Sequence, residues 1–203
     1  MKVENLKVYD LDESIKASGY PMRTELDTNE VGTKDLKRCF NLTKASNGNG
    51  AHGQWMTGVR VAFDLTCTNK MWVEAERYRF LEFVSSQSTM HRITKFDIKS
   101  QCCDYVDNRI IDIVNEKIGI YNANPTPENY LNVLYNIPSG FELTARLTTN
   151  YRCLLNIWVQ RHDHRLPEWR EFCEYIRWNL PYFNELIEAY KGGEFENVFS
   201  TEP

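Results

Sequence analysis

Polar side chains recur at a fixed spacing in residues 150–161, a segment that is otherwise largely apolar. Arg152, Asn156 and Gln160 stand four residues apart, so a helix carries them as one stripe, which alone is also typical of a solvated face. Arg161 projects instead into the apolar arc of the same helix. A guanidinium in apolar surroundings is costly without an anion. That anion is either a carboxylate of the fold or a ligand phosphate, which matches the planar fork of arginine.

A second polar cluster, at residues 85–92, combines hydroxyl, amide and basic groups. Ser and Thr hydroxyls and the Gln87 amide precede His91 and Arg92. Such groups suit a phosphate or the polar edge of a pyrimidine. The same pattern is typical of a helix C-terminus, where His and Arg interact with the helix dipole and Ser or Thr caps the next segment. Both interpretations remain open from these residues alone.

Alternation of apolar and polar residues predicts two main strands, and apolar residues at helical spacing predict the helices around them. The strands are expected at 55–68 and 141–149. Helices are expected at 71–84, 105–118, 128–135, 150–160 and 168–190, the last interrupted at Pro181. A short strand at 7–9 and a short helix at 14–17 precede them. This pattern predicts one α+β domain over residues 1–203.

Two segments lack such periodicity. Residues 24–50 are polar and end in a Ser-Asn-Gly-Asn-Gly run, which predicts a flexible loop and a candidate lid. Residues 191–203 begin with Lys-Gly-Gly and predict a loose tail.

The composition narrows the class of protein. Of the 203 residues, 42% are hydrophobic and 26% are charged, which suits one domain with a hydrophobic core. The net charge of −4 argues against a basic nucleic-acid-binding surface, so we expect no nucleic-acid partner. No stretch approaches the roughly 20 apolar residues of a membrane span, so we expect no membrane association.

The cysteines indicate neither a metal site nor disulfides. None of the six forms a C-x-x-C pair, and no Cys/His spacing matches a zinc site, so no metal is expected. The first five residues lack the apolar run of a secretory signal. We therefore expect reduced thiols in a cytoplasmic protein.

Read in order, these segments resemble the flavin-dependent thymidylate synthases. The family has an Asn-x-Arg-x3-Asn-x4-Arg helix, which stands here as Asn150, Arg152, Asn156 and Arg161, followed by His and acidic residues. Four polar residues at this spacing on an apolar helix make a fairly specific match. The resemblance implies a central, mostly antiparallel sheet with several long helices.

Two further segments match the family in part. Residues 15–20 are similar to its Ala-Arg-Val-Ser-Tyr-Gly segment, which places Ser18 near the flavin, and His52 stands where the family has a flavin-contacting His. The family's signature, which begins with Arg-His-Arg and ends with Ser-x-Arg, keeps only its first Arg, as Arg79. Thr89 replaces the Ser of that motif and His91 its last Arg, and its second and third positions are Phe and Leu.

The resemblance implies an FAD-dependent enzyme that methylates dUMP to dTMP. Methylenetetrahydrofolate would supply the carbon and NADPH the reducing equivalents. The resemblance also implies a homotetramer whose active sites are shared between subunits. The implied FAD-binding residues are Ser18, His52, Arg79, Asn150, Arg152 and Asn156. The implied nucleotide-binding residues are Gln87, Ser88, Thr89, His91, Arg92 and Arg161, and the candidate catalytic residues are Arg161 and Thr89.

The altered signature leaves two other functions open. One is a related flavoenzyme that modifies another pyrimidine nucleotide, for example by hydroxymethylation. The other is a non-catalytic descendant that binds a nucleotide or a protein.

Overall fold

The central sheet has four strands, each antiparallel to its neighbours. The computed structural model describes residues 1–26, 29–48 and 50–192. Its strands are β1 (Lys2–Tyr9), β2 (Arg60–Thr68), β3 (Glu82–Ser86) and β4 (Glu142–Asn150). They are arranged in the order β1-β2-β4-β3, so β3 is an edge strand. The α+β class and the antiparallel sheet that the sequence predicted are therefore confirmed.

Helices lie before, between and after the strands. They are α1 (Leu11–Ala17), α2 (Thr33–Ser46), α3 (Asn69–Ala75), α4 (Thr89–Arg92), α5 (Asn108–Ala123), α6 (Pro127–Leu134), α7 (Tyr151–Arg161), α8 (Pro167–Asn179) and α9 (Phe183–Tyr190). Three 3₁₀ segments, Tyr20–Met22, Gly50–Thr57 and Ile93–Lys95, complete the described elements. The predicted helices at 105–118, 128–135, 150–160 and 168–190 are confirmed to within a few residues at each end.

Two hydrophobic clusters hold these elements. The larger one joins β2, β4, α7, α8 and α9, and includes fully buried Phe63, Leu147 and Trp169. The smaller one lies under α5 and α6, around Val114 and Phe141. Because inward-facing residues of β2 and β4 alternate with partly exposed ones, these strands carried the clearest periodicity in the sequence.

The predicted flexible loop at 24–50 is wrong for most of its length. Residues 33–46 form α2, whose inner face buries Cys39, Phe40 and Thr43. The rest of the helix is polar because it faces solvent, and this composition concealed it. Positions 27, 28 and 49 of the predicted loop, and positions 193–203 of the predicted tail, lie outside the described residues.

The predicted helix at 71–84 is also wrong beyond residue 75. α3 ends at Ala75, and the chain turns before it enters β3. Tyr78 and Leu81 are buried in this turn at the spacing of a helix face, which explains the error. The predicted strand at 55–68 starts later, at Arg60, because residues 50–57 form a 3₁₀ segment.

Candidate functional site

The principal cavity lies where the 3₁₀ segment at 50–57, the turn at 77–82 and α7 meet. Its volume is about 910 Å³, at the upper end of the roughly 300–1,000 Å³ that small-molecule sites span. Four arginines line it, Arg60, Arg77, Arg79 and Arg152. Glu82 is the only acidic residue among the described lining residues. This excess of positive charge favours an anionic ligand.

α7 begins at the wall of this cavity because β4 runs directly into it. Asn150 ends the strand and caps the helix, since its side-chain oxygen accepts the Cys153 N–H at 2.9 Å. The first turn of the helix then places Arg152 in the cavity wall. Arg152 Nη1 donates a hydrogen bond to Gln54 Oε1 at 2.8 Å. Because Gln54 is neutral, this contact orients Arg152 without neutralising it.

A chain of hydrogen bonds runs from the next turn of α7 away from the cavity. Gln160 Nε2 donates to Asn156 Oδ1 at 3.1 Å, and Tyr78 Oη donates to Gln160 Oε1 at 3.0 Å. Arg161 Nε donates to the same Tyr78 oxygen at 2.8 Å. Asn156 and Tyr78 line the cavity, whereas Gln160 and Arg161 do not. Burial raises the pKa of Tyr78, so its hydroxyl keeps the proton that it donates.

The anion beside Arg161 in this structure is a carboxylate of the fold, one of the two alternatives that the sequence left open. Arg161 Nη1 donates to Glu74 Oε2 at 3.0 Å, and the two side chains are only 17% and 20% exposed. The guanidinium also lies over the ring of Trp169, 5.2 Å from its centre. Trp169 Nε1 donates to the same Glu74 oxygen at 3.1 Å. Arg161 therefore needs an anion, as its position in the sequence indicated, but it does not line the cavity.

A second cavity, of about 600 Å³, contains the two N-terminal candidates. Ser18 and His52 both line it, and Gln54 and Thr57 line both cavities. The Ser18 hydroxyl is already engaged, because it donates to Ile15 O at 2.6 Å and accepts from Arg38 Nε at 2.9 Å. His52 is exposed.

Of the residues predicted to bind the nucleotide, Gln87, Ser88, Thr89, His91 and Arg92 line neither cavity in the described chain. They follow β3, whose five residues span about 16 Å, whereas Arg79 precedes it. Gln87 Oε1 accepts the Thr144 N–H at 2.9 Å and so extends the pairing with β4. Within the described residues, the side chains of Thr89, His91 and Arg92 form no hydrogen bond or ion pair. Within the described chain, the principal cavity therefore gathers Arg79, Asn150, Arg152 and Asn156, but not residues 87–92.

Sequence reasoning missed several functional candidates in the cavity. Arg60 is the first residue of β2, and Arg77 lies in a turn that was predicted to be helical. The excess of Arg in residues 77–79 was a signal, since two of three residues there are arginines flanking Tyr78. No pattern in the sequence pointed to Glu74, which pairs with a residue 87 positions away.

Cys153 is the only cysteine in the wall of the principal cavity among the described residues, and it is unsuited to act as a nucleophile. Burial raises its pKa, whereas an activated cysteine has a lowered one. We expect iodoacetamide at pH 8 to leave Cys153 unmodified in the native protein, as measured by mass spectrometry of its peptides. Partly exposed Cys103 serves as the positive control. Rapid and selective labelling of Cys153 would contradict this assignment.

Two other kinds of functional feature are absent from the described residues. No group of three or more His, Cys, Asp or Glu side chains that could hold a metal ion is found there. Among these residues, none of the helices is both long and apolar enough to cross a bilayer.

No protein-family model and no curated protein sequence matches this chain, but solved structures do. The flavin-dependent thymidylate synthase ThyX from Helicobacter pylori, complexed with FAD and dUMP, has a TM-score of 0.72 and 15% identity, over 95% of this chain and 99% of that one. The UMP/dUMP methylase PolB from Streptomyces cacaoi, bound with 5-Br dUMP, has a TM-score of 0.68 and 12% identity, over 95% and 96%. These similarities confirm, at the level of the fold, the resemblance that the sequence motifs indicated.

Proposed function

We propose that this chain, which has the fold of the flavin-dependent thymidylate synthases, methylates a pyrimidine nucleoside monophosphate with FAD as its cofactor. The main support for this proposal is that the motif match and the cavity lining select the same residues. The family's FAD-binding pattern fell on Arg79, Asn150, Arg152 and Asn156, and the structure gathers these four in one arginine-lined cavity. The specific reaction proposed is the conversion of dUMP to dTMP, with methylenetetrahydrofolate as carbon donor and NADPH as reductant.

The lining of the cavity fits a flavin dinucleotide. The diphosphate of FAD needs cations, and the described lining of the cavity includes four arginines and one carboxylate. Its ring systems need apolar surface, which Met56, Phe80 and Leu155 supply. The adjoining cavity shares Gln54 and Thr57 with the first, so the two offer space for an extended ligand. When bound, FAD would carry the hydride that completes the new methyl group.

The chain's own residues would bind and orient the reactants. Arg79 and Arg152 would hold the phosphates of FAD, because a guanidinium binds phosphate oxygens through two parallel hydrogen bonds. Asn150 and Asn156 would complete that site, with Ser18 and His52 at its second cavity. No cysteine nucleophile is required, which agrees with the buried, protonated thiol of Cys153. Arg161 does not line the cavity and would act as a positioning residue, through its hydrogen bond to Tyr78.

A shared active site would bring the nucleotide-binding group to the cavity. The side chains of Thr89, His91 and Arg92 form no hydrogen bond or ion pair within the described residues and would meet the cavity of a second copy, together with Gln87 and Ser88. β3, the edge strand between Arg79 and these residues, exposes apolar side chains. Phe83 is 43% exposed and Val84 is 62% exposed, which supports a protein contact there. We therefore propose a homotetramer with shared sites, working in the cytoplasm. Sedimentation equilibrium tests the assembly directly.

A second candidate substrate is UMP. One structural neighbour is named a UMP/dUMP methylase, and the signature motif of this chain departs from the thymidylate synthase pattern at its second and third positions. Of the substituting residues, Phe80 lines the cavity beside Arg79, where a change alters the environment of a bound ring, whereas Leu81 is buried in the core. Related chemistry on another pyrimidine, including hydroxymethylation, would use the same cavity.

The absorbance spectrum of the purified protein tests the proposal first. We expect the two visible bands of an oxidised flavin, or their appearance when FAD is added at micromolar concentration. A protein that neither contains nor binds FAD would exclude both enzyme functions and favour a non-catalytic binder. If FAD binds, incubation with methylenetetrahydrofolate, NADPH and either dUMP or UMP separates the substrates. Mass spectrometry of the nucleotide then distinguishes a gain of CH₂ from a gain of CH₂O.

A further inference from the structure

We propose that a hydrogen-bond relay from Arg161 fixes the Asn156 amide so that its NH₂ group, and not its oxygen, faces the principal cavity. The relay consists of Arg161, Tyr78, Gln160 and Asn156, in that order. The inference deepens the proposed function and rests on it, because the ligand that Asn156 would meet is FAD.

The direction of the relay follows from the chemistry of its first member. An arginine side chain has only donors, so the Tyr78 oxygen must accept from Arg161 Nε, 2.8 Å away. The Tyr78 proton is then left for Gln160, whose oxygen lies 3.0 Å from the hydroxyl. With its oxygen engaged, Gln160 turns its NH₂ group toward Asn156 Oδ1, at 3.1 Å. Each amide orientation is thus dictated by the one before it.

Arg161, the anchor of the relay, is held by an ion pair and two ring contacts. Glu74 holds the Arg161 guanidinium at 3.0 Å, and the rings of Tyr78 and Trp169 lie 5.7 Å and 5.2 Å from it. Tyr78 is 7% exposed, so water does not compete freely for its hydroxyl. A partly buried cation outside the cavity therefore sets the polarity of an amide in the cavity wall.

The consequence concerns the ligand. Asn156 Oδ1 is engaged by Gln160, which leaves Asn156 Nδ2 as a donor at the cavity wall. The atom that it recognises is an acceptor, such as a ring carbonyl or a phosphate oxygen of FAD. Tyr78, Gln160 and Arg161 are positioning residues in this arrangement, and Asn156 is the binding residue.

Gln160→Glu is the most direct test, because it keeps the size of the side chain and reverses its polarity. A carboxylate accepts from Tyr78 with one oxygen and from Asn156 Nδ2 with the other, so the Asn156 oxygen would turn to the cavity. We expect FAD affinity, measured by fluorescence titration, to fall about tenfold or more, as one hydrogen bond is lost and two acceptors meet. Tyr78→Phe removes only the orienting hydroxyl, and we expect a smaller fall, of about threefold.

A double-variant cycle separates polarity from added charge. Gln160→Glu also adds a negative charge, which would weaken FAD binding whatever Asn156 does. In an Asn156→Ala background the charge effect persists but no amide remains to invert, so we expect Gln160→Glu to cost less than threefold there. Circular dichroism and thermal melting of every variant verify the fold.

The outcomes are distinguishable. If the unmodified chain binds FAD and Gln160→Glu has the same effect in both backgrounds, the relay does not set the Asn156 orientation, while the proposed function stands. If the unmodified chain does not bind FAD, the proposed function fails and this inference with it. A tenfold loss confined to the background that contains Asn156 supports the relay.

Discussion

Arg152→Ala is expected to remove most of the affinity for FAD while leaving the fold intact. Arg152 is half-buried in the cavity wall, and its only side-chain hydrogen bond within the described residues is to the neutral Gln54. Its charge is therefore free to meet a ligand phosphate. Truncating one partner of such a charged contact costs about 2–5 kcal/mol. Fluorescence titration or equilibrium dialysis with FAD measures the loss, and thermal melting shows that stability is retained.

The matched control is Arg109→Ala. That substitution removes the same charge from an exposed ion pair with Asp107, and Arg109 does not line the principal cavity. We expect it to leave FAD affinity unchanged, which separates a local contact from a change in net charge. Arg152→Lys should fall between the two, because lysine keeps the charge but lacks the planar fork. Affinity within twofold of the unmodified protein for Arg152→Ala would remove this residue from the FAD site.

The sequence predicted α7 and the two central strands well, for a physical reason. Each of these elements is buried on a defined side, so apolar residues recur at the period of the backbone. The polar residue that breaks this pattern, Arg161, was thereby marked as a candidate, whereas the resemblance to the family marked Arg152 and Asn156. Their meeting with Arg79 across the cavity followed from the resemblance and not from periodicity, because a single sequence contains no direct record of tertiary contacts.

The elements that were missed have weak or misleading periodicity. β3 is exposed over its whole length, so no alternation marks it. α2 buries few positions, among them Cys39 and Phe40, and its polar outer face resembles a loop in composition. In the turn at 77–81, Tyr78 and Leu81 are buried for reasons of packing and imitate a helix face. In each case the tertiary environment, and not local preference, decides the structure.

The partner of Arg161 shows the same limit at the level of a single side chain. The sequence indicated that this guanidinium faces apolar residues and needs an anion, but it left a carboxylate of the fold and a ligand phosphate equally possible. Glu74 lies on α3, which is separated from α7 by two strands and several helices in sequence. Only the packing of α3 against the end of α7 identifies it.

Arg161→Ala is expected to destabilise the fold by about 3 kcal/mol, since it removes the nearest cation from the Glu74 carboxylate, which is only 20% exposed. Glu74 would keep Trp169 Nε1 as a donor at 3.1 Å and Lys70 Nζ at 3.7 Å, but its shortest ion pair would be gone. The loss of ring contacts to Trp169 adds to the effect. Urea unfolding at fixed protein concentration measures the change, because the proposed assembly would make stability depend on concentration.

A double-variant cycle shows whether Glu74 is the reason. Glu74→Ala together with Arg161→Ala should cost less than the sum of the two single substitutions, because the second removes a charge that the first left unpaired. Arg109→Ala breaks an exposed pair and should leave the free energy of unfolding unchanged. If Arg161→Ala instead left stability intact and abolished binding of the nucleotide, the guanidinium would have to leave Glu74 for a phosphate. In that case the ion pair seen here would be a resting arrangement, and Arg161 would regain the role that its spacing in the sequence first indicated.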